Sequence, residues 1–196
     1  SQRTEYFFNS IDAQKDSDYN YYLKDVARAT SAAPIFFELA QIKSLAGSEL
    51  HLIDGGMVAN NPALCAYAEA RHAFNTKYKA ADIVMLSLGT GKNLQPYNYK
   101  KARNWGLAKW LSPVISILMS SSSNTVDFQL RQLFDAAGVP EQYFRIECQL
   151  SDENTAMDNA SELNRQALQN AAEIALRQNE SAIRGFIEKY FNKHSD

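Results

Sequence analysis

Apolar and polar positions alternate along this chain in short blocks of different period. Glu49 to Ile53 alternates around Leu50 and Leu52, which predicts a strand end. Gly55-Gly56 follows as a tight turn, and Asn61-Pro62 reads as a helix start, a side-chain cap before a proline. Pro62 to Phe74 then carries Leu64, Ala68 and His72 at helical spacing. Ile83 to Leu88 is a nearly continuous apolar run, the pattern of a parallel strand buried on both faces, ending in Gly89-Thr90-Gly91. Strand, helix and strand with short connections predict a βαβ unit and an α/β fold.

Upstream, Tyr6-Phe7-Phe8 suits a buried strand and Ile11 to Asn20 a surface loop. Tyr21 to Thr30 predicts a helix with Leu23, Val26 and Ala27 inward, ended by Pro34. Ser31-Ala32-Ala33 permits close backbone packing, Phe36 and Phe37 follow as core anchors, and Gln41 to Ser48 reads as a polar loop. Downstream, Asn93 to Asn104 reads as a loop and Trp105 to Phe134 as less regular, with a helix from Val126. Tyr143 to Cys148 suits a late strand, and Asp152 to Asn159 an acidic loop. Two closing helices are expected, one with Leu163, Ala167, Ala171 and Ile174 on its inner face, the other with Ile183, Phe186, Ile187, Tyr190 and Phe191. No repeat or linker interrupts the 196 residues, so one domain spanning 1–196, or a large part of one, is expected.

Composition narrows the function. An apolar share of 45% supports a sizeable core, and a net charge of −2 without a basic run argues against nucleic acid as a partner. Cys65 and Cys148 read as two separate buried thiols. The opening Ser-Gln-Arg-Thr-Glu is no signal peptide, and no apolar run approaches a membrane span, so a cytoplasmic site of action is the expectation.

Candidate chemistry centres on Asp54. It sits at the carboxyl end of a strand, where open α/β sheets place their ligands, although a carboxylate there also caps a Gly-Gly turn. Gly89-Thr90-Gly91-Lys92 is not a phosphate loop: Leu86 and Asn93 stand where a glycine and a Ser or Thr are required. Leu94 likewise breaks a dinucleotide fingerprint. His51 should point away from Asp54. No histidine, cysteine or carboxylate spacing suggests a metal, and no cofactor is expected. Ser31 and Ser87 lack the flanking glycines of a nucleophile elbow, and the chain holds no Gly-x-Ser-x-Gly.

Taken in order, three segments resemble the patatin-like phospholipase family. They are Ala27-Arg28-Ala29-Thr30-Ser31-Ala32-Ala33-Pro34, Asp54-Gly55-Gly56 with Asn60-Asn61-Pro62, and Ser87-Leu88-Gly89-Thr90-Gly91. Trp105-Gly106 with Trp110, and Met157-Asp158-Asn159-Ala160, are weaker echoes. The resemblance implies the C-terminal part of a three-layer α/β/α domain and hydrolysis of fatty-acyl esters by a Ser-Asp dyad. Asp54 matches the dyad aspartate; Gly55, Gly56, Asn60, Asn61 and Arg28 match its supporting motif. It also implies an upstream segment or companion chain carrying the serine elbow and the oxyanion loop, and a lipid substrate met at a membrane surface. Trp105 to Met119 is the candidate lipid-contacting region. The alternative is a lipid- or partner-binding relative without a nucleophile.

Overall fold

The computed structural model describes residues 4–73, 78–93, 95–151, 156 and 158–192. The chain forms two compact units, one made of residues 1–75 with 115–126, the other of 76–114 with 127–196.

In the first unit, α1 (Ser10–Lys15) and a short 3-10 turn at Ser17–Tyr19 replace the expected loop. Side-chain caps build both. Asn9 accepts from the N–H of Asp12 at 2.7 Å, and Asp16 from that of Asp18 at 2.9 Å. Tyr6 and Phe8 form no strand; their rings meet Tyr21 edge to face, with centroids at 6.1 and 5.3 Å. Helix α2 (Leu23–Thr30) turns Ala29 inward and leaves the expected anchor Leu23 82% exposed. The reason is the partner surface, which small residues define. Ala29, Ala32, Ala40 and Ile42 form the core, flanked by Phe8, Tyr21, Leu50 and Leu52.

Strand β1 (Ala40–Lys43) occupies part of the expected polar loop. Its inward positions are only Ala40 and Ile42, too few for the alternation to stand out. It pairs antiparallel with β2 (Glu49–Leu52), Ala40 opposite Leu52 and Ile42 opposite Leu50. Phe36 and Phe37, expected in the core, are exposed, because the turn from Ala33 to Leu39 carries them outward. Helices α3 (Gly56–Ala59) and α4 (Ala63–Ala73) follow β2.

In the second unit, β3 (Met85–Leu88) pairs in parallel with β4 (Tyr143–Ile146). The parallel crossover therefore runs from β3 to β4; β2 pairs with β1 instead of entering the βαβ unit expected with β3. β3 is not buried on both faces. Leu86 and Leu88 are 43% and 68% exposed, whereas Ser87 is buried, its hydroxyl accepting from Arg145 at 2.7 Å. Between the strands come α5 (Tyr99–Ala102) and α6 (Leu107–Ala136), a single 30-residue helix where an irregular region was expected. Pro113 removes one donor near its start. The serine run stays helical; Ser120 satisfies its hydroxyl on the carbonyl of Ser116 at 2.8 Å. Leu130 and Phe134 are fully buried, and Phe134 stacks on Tyr143 at 5.7 Å.

The two closing helices are one, α7 (Glu162–Tyr190), capped by Ser161. Glu173–Arg177 and Glu180–Arg184 pairs stitch the stretch where a break was expected. Asn164, Ala175 and Phe186 are buried, and the inner stripe includes two asparagines, Asn164 and Asn179. Asn179 donates to the carbonyl of Ala175, and Asn164 to that of Asn159. The polar members hid this stripe, so the expected anchor Leu163 lies outside it, 80% exposed. The acidic stretch Asp152 to Asn159 falls largely outside the described residues.

The glycine turn after β3 belongs to Glu147. A Cβ on Gly89 would lie 2.1 Å from that carboxylate, and Gly91, at φ +111°, donates its N–H to it at 2.7 Å. Gly89→Ala should therefore destabilise the second unit by roughly 2–4 kcal/mol, and Phe134→Ala by roughly 3–5 kcal/mol. Urea unfolding reads both, and a midpoint unchanged in either variant would refute the corresponding contact. Cys148 supplies a chemical check. Burial, helped by the Glu147 charge, pushes its thiol pKa up. Iodoacetamide at pH 8 should label it more slowly than a cysteine peptide until urea is added; equal rates in the native protein would contradict the burial.

Candidate functional site

The turn after β2 places Asp54 by three backbone and side-chain bonds. Its N–H donates to the carbonyl of Ala32 at 3.0 Å, which ties the turn to the small-residue segment after α2. Its carbonyl accepts the N–H of Met57 at 3.3 Å, and its Oδ1 accepts the N–H of Gly56 at 2.6 Å. The carboxylate is half-buried, and Oδ2 accepts no bond from the described residues. One oxygen is thus anchored while the other is available to a proton donor.

Gly56 is required by this geometry. A Cβ there would stand 2.9 Å from Asp54 Oδ1 and 3.6 Å from the Met119 methyl. Gly55 has helical backbone angles and nothing within 4 Å of its missing Cβ, so its role is the start of α3 rather than close packing.

The two asparagines fix the helices behind the turn. Asn61 is buried; its Oδ1 accepts the N–H of Ala63, starting α4, and its amide donates to the carbonyl of Ser123 at 3.3 Å. Asn60 donates to the carbonyl of Met119 at 3.2 Å. Both therefore bind the middle of α6, whose side of the contact the sequence did not disclose. Arg28 is brought near by α2 but does not reach the carboxylate in these bonds. Its guanidinium donates to the carbonyl of Glu38 at 2.9 Å and covers the ring of Phe37 at 5.7 Å. It holds the turn from Ala33 to Leu39, not Asp54 itself.

The other polar residues fall away from this chemistry. His51 is exposed and pairs with Glu49 at 3.1 Å. Ser31 donates to the carbonyl of Ala27, and Ser87 is held by Arg145. Among the described residues no group of histidine, cysteine and carboxylate side chains could hold a metal. Glu147 escaped the sequence reading. Its signal is Gly89, whose missing side chain leaves room for the Glu147 carboxylate, while Gly91 supplies an N–H to it and leaves room for Leu150 and Cys148.

Comparison with known proteins places the chain in a family. The model of patatin-like phospholipase matches residues 2–67, which include Arg28, Asp54 and both asparagines. Patatin-like protein 3 of Arabidopsis thaliana is 31% identical over 90% of this chain and 46% of its own length. Patatin-like protein 2 of Oryza sativa subsp. indica is 31% identical over 84% of the chain and 46% of its own, and Patatin-15 of Solanum tuberosum 29% identical over 87% and 48%. The chain thus spans about half the length of the curated relatives it matches. On this match and on the turn that holds Asp54, the chain belongs to the patatin-like phospholipase family.

Proposed function

We infer that this chain supplies the general base of a lipid acyl hydrolase, with Asp54 as that base. The observation that carries the reading is the asymmetry of the Asp54 carboxylate, with Oδ1 fixed by the Gly56 N–H and Oδ2 open. The nucleophile is a serine on an upstream segment or companion chain, since the 196 residues contain no Gly-x-Ser-x-Gly. As the serine oxygen attacks the ester carbonyl carbon, Oδ2 takes its proton. Backbone N–H groups on the nucleophile's side hold the oxyanion. Collapse of the tetrahedral intermediate expels the alcohol, which leaves with that proton, and an acyl-serine remains. Water then attacks the acyl-serine, losing a proton to Asp54; collapse of that intermediate releases the fatty acid, and the serine oxygen takes the proton back from Asp54.

A carboxylate is a weak base, so the reading depends on position more than on basicity. In this reading Gly56, Asn60 and Asn61 are positioning residues, and Arg28 keeps the adjoining turn in place. The substrate is a phospholipid or related acyl ester at a membrane surface. Leu107, Leu111 and Leu118 of α6 are exposed and support contact with lipid, while Trp105 and Trp110 pack ring to ring at 5.2 Å. No described helix is long and apolar enough to cross a membrane. The exposed apolar side chains around β3 also suit the second reading, a relative that binds a partner or lipid without catalysis.

Labelling the native protein with a fluorophosphonate probe tests the assignment. Label on a serine outside these 196 residues, and at least a thousandfold loss of kcat in Asp54→Asn with the fold intact, is the expected result. Full activity in Asp54→Asn would overturn the role of Asp54, and absence of any label would favour the non-catalytic reading. Gly56→Ala should lower kcat by roughly a hundredfold by displacing the carboxylate, and wild-type turnover would refute the positioning role. Leu107→Asp with Leu111→Asp should weaken binding to phospholipid vesicles severalfold; unchanged sedimentation with vesicles would remove α6 from the lipid interface.

A further inference from the structure

Beyond β3 and β4 the parallel pairing continues for one more step. Lys92 donates its N–H to the carbonyl of Cys148 at 2.9 Å, and its carbonyl accepts the N–H of Leu150 at 2.9 Å. This extension stands at the carboxyl end of the parallel strands, the edge at which open α/β sheets bind ligands. Between it and α7 lies an open cavity of about 560 Å³, within the range of small-molecule sites. Leu150, Ala167, Ala171 and Ile174 give it an apolar wall, and the amides of Gln149 and Asn170 a polar rim.

The charges lining the cavity do not cancel. Glu147 is already satisfied, its Oε1 accepting from Gly91 at 2.7 Å and its Oε2 from Arg145 at 2.5 Å. Arg145 and Glu147 thus neutralise each other in a partly buried pair. Lys92 is the remaining charge on the lining, and it forms no ion pair among the described residues. Its backbone is held at both N–H and carbonyl, so its side chain starts from a fixed point.

We propose that this cavity binds a long-chain monocarboxylate, a fatty-acid anion, with the carboxylate at Lys92 and the chain along the alanine face of α7. One cation on the lining matches one negative charge. The apolar wall and the small side chains of Ala167 and Ala171 leave room for methylene groups. The site shares no residue with the Asp54 turn, and the proposal does not depend on ester hydrolysis.

Displacement of the fluorescent fatty acid cis-parinarate by oleate, below its micellar concentration, tests the proposal on the purified protein. Lys92→Glu should weaken oleate binding about tenfold, the size of one partly exposed charge contact. Lys92→Arg should keep it, and Lys24→Glu, on exposed α2, should leave it unchanged. Ala171→Trp should abolish binding by filling the cavity, and oleyl alcohol should bind about tenfold more weakly than oleate. Wild-type affinity in Lys92→Glu, or equal binding of alcohol and acid, would overturn the assignment. So would an unaffected Ala171→Trp; if that variant fails to fold, the Lys92→Glu and Lys92→Arg pair decides. Asp54→Asn should bind oleate normally, so loss of hydrolysis and loss of this site are read separately.

Discussion

The hydrogen bond from the Gly56 N–H to Asp54 Oδ1, at 2.6 Å, is the constraint on which the candidate site rests. It forms because Gly56 carries no Cβ; with one, the same oxygen would be 2.9 Å from a methyl group. The bond fixes the carboxylate relative to the start of α3, and the neighbouring bonds fix that turn in the first unit. Asp54 N–H reaches back to Ala32, while Asn60 and Asn61 reach across to carbonyls in the middle of α6. A short strand pair with an alanine-rich core could not hold a side chain this closely by packing alone. Directed polar bonds perform that task, and they are charge-assisted where the carboxylate accepts.

The second unit shows a different constraint. A parallel ladder of two strands is seldom stable by itself, because its faces and edges need cover. β3 turns a polar face inward, where Ser87 meets Arg145, and an apolar face outward through Leu86 and Leu88. On the same face of β4, Phe144 is covered by Phe186 of α7 at 5.5 Å. Cover therefore reaches β4 and stops short of β3. The relatives match this chain over only about half of their own length.

Much of this was legible in the residues, and the exceptions share causes. Leu50 and Leu52 announced β2, Asn61-Pro62 announced α4, and Gly89 to Gly91 announced a strand-ending turn, since each depends on local chemistry. The α/β class followed from them, and so did the placement of Asp54 just past a strand. The apolar spacing predicts an irregular region before Val126 and two closing helices, where α6 and α7 are each continuous through serines and asparagines. Their side chains bond to helix carbonyls or turn inward against a partner. Phe36 and Phe37 read as core because of size alone, yet the core of the first unit is built from alanines and Ile42. The partners of Asn60, Asn61 and Glu147 lie about sixty residues away, and no local pattern encodes them.

Among the described residues two glycine turns each hold a carboxylate, and they differ in how many of its oxygens are bonded. At Gly89 and Gly91 the carboxylate comes from Glu147, and both of its oxygens are occupied, one by a backbone N–H and one by a guanidinium. Those charge-assisted bonds tie the turn after β3 to β4, so Glu147 serves structure. At Gly56 the carboxylate belongs to the turn itself, one oxygen is occupied, and no cation is bonded to the other among the described residues. In the proposed role, Oδ2 is the oxygen open to a serine hydroxyl while Oδ1 keeps the bond that positions the carboxylate. A base that must accept a proton from serine and release it to the leaving alcohol in every cycle needs that combination, and a saturated carboxylate does not offer it.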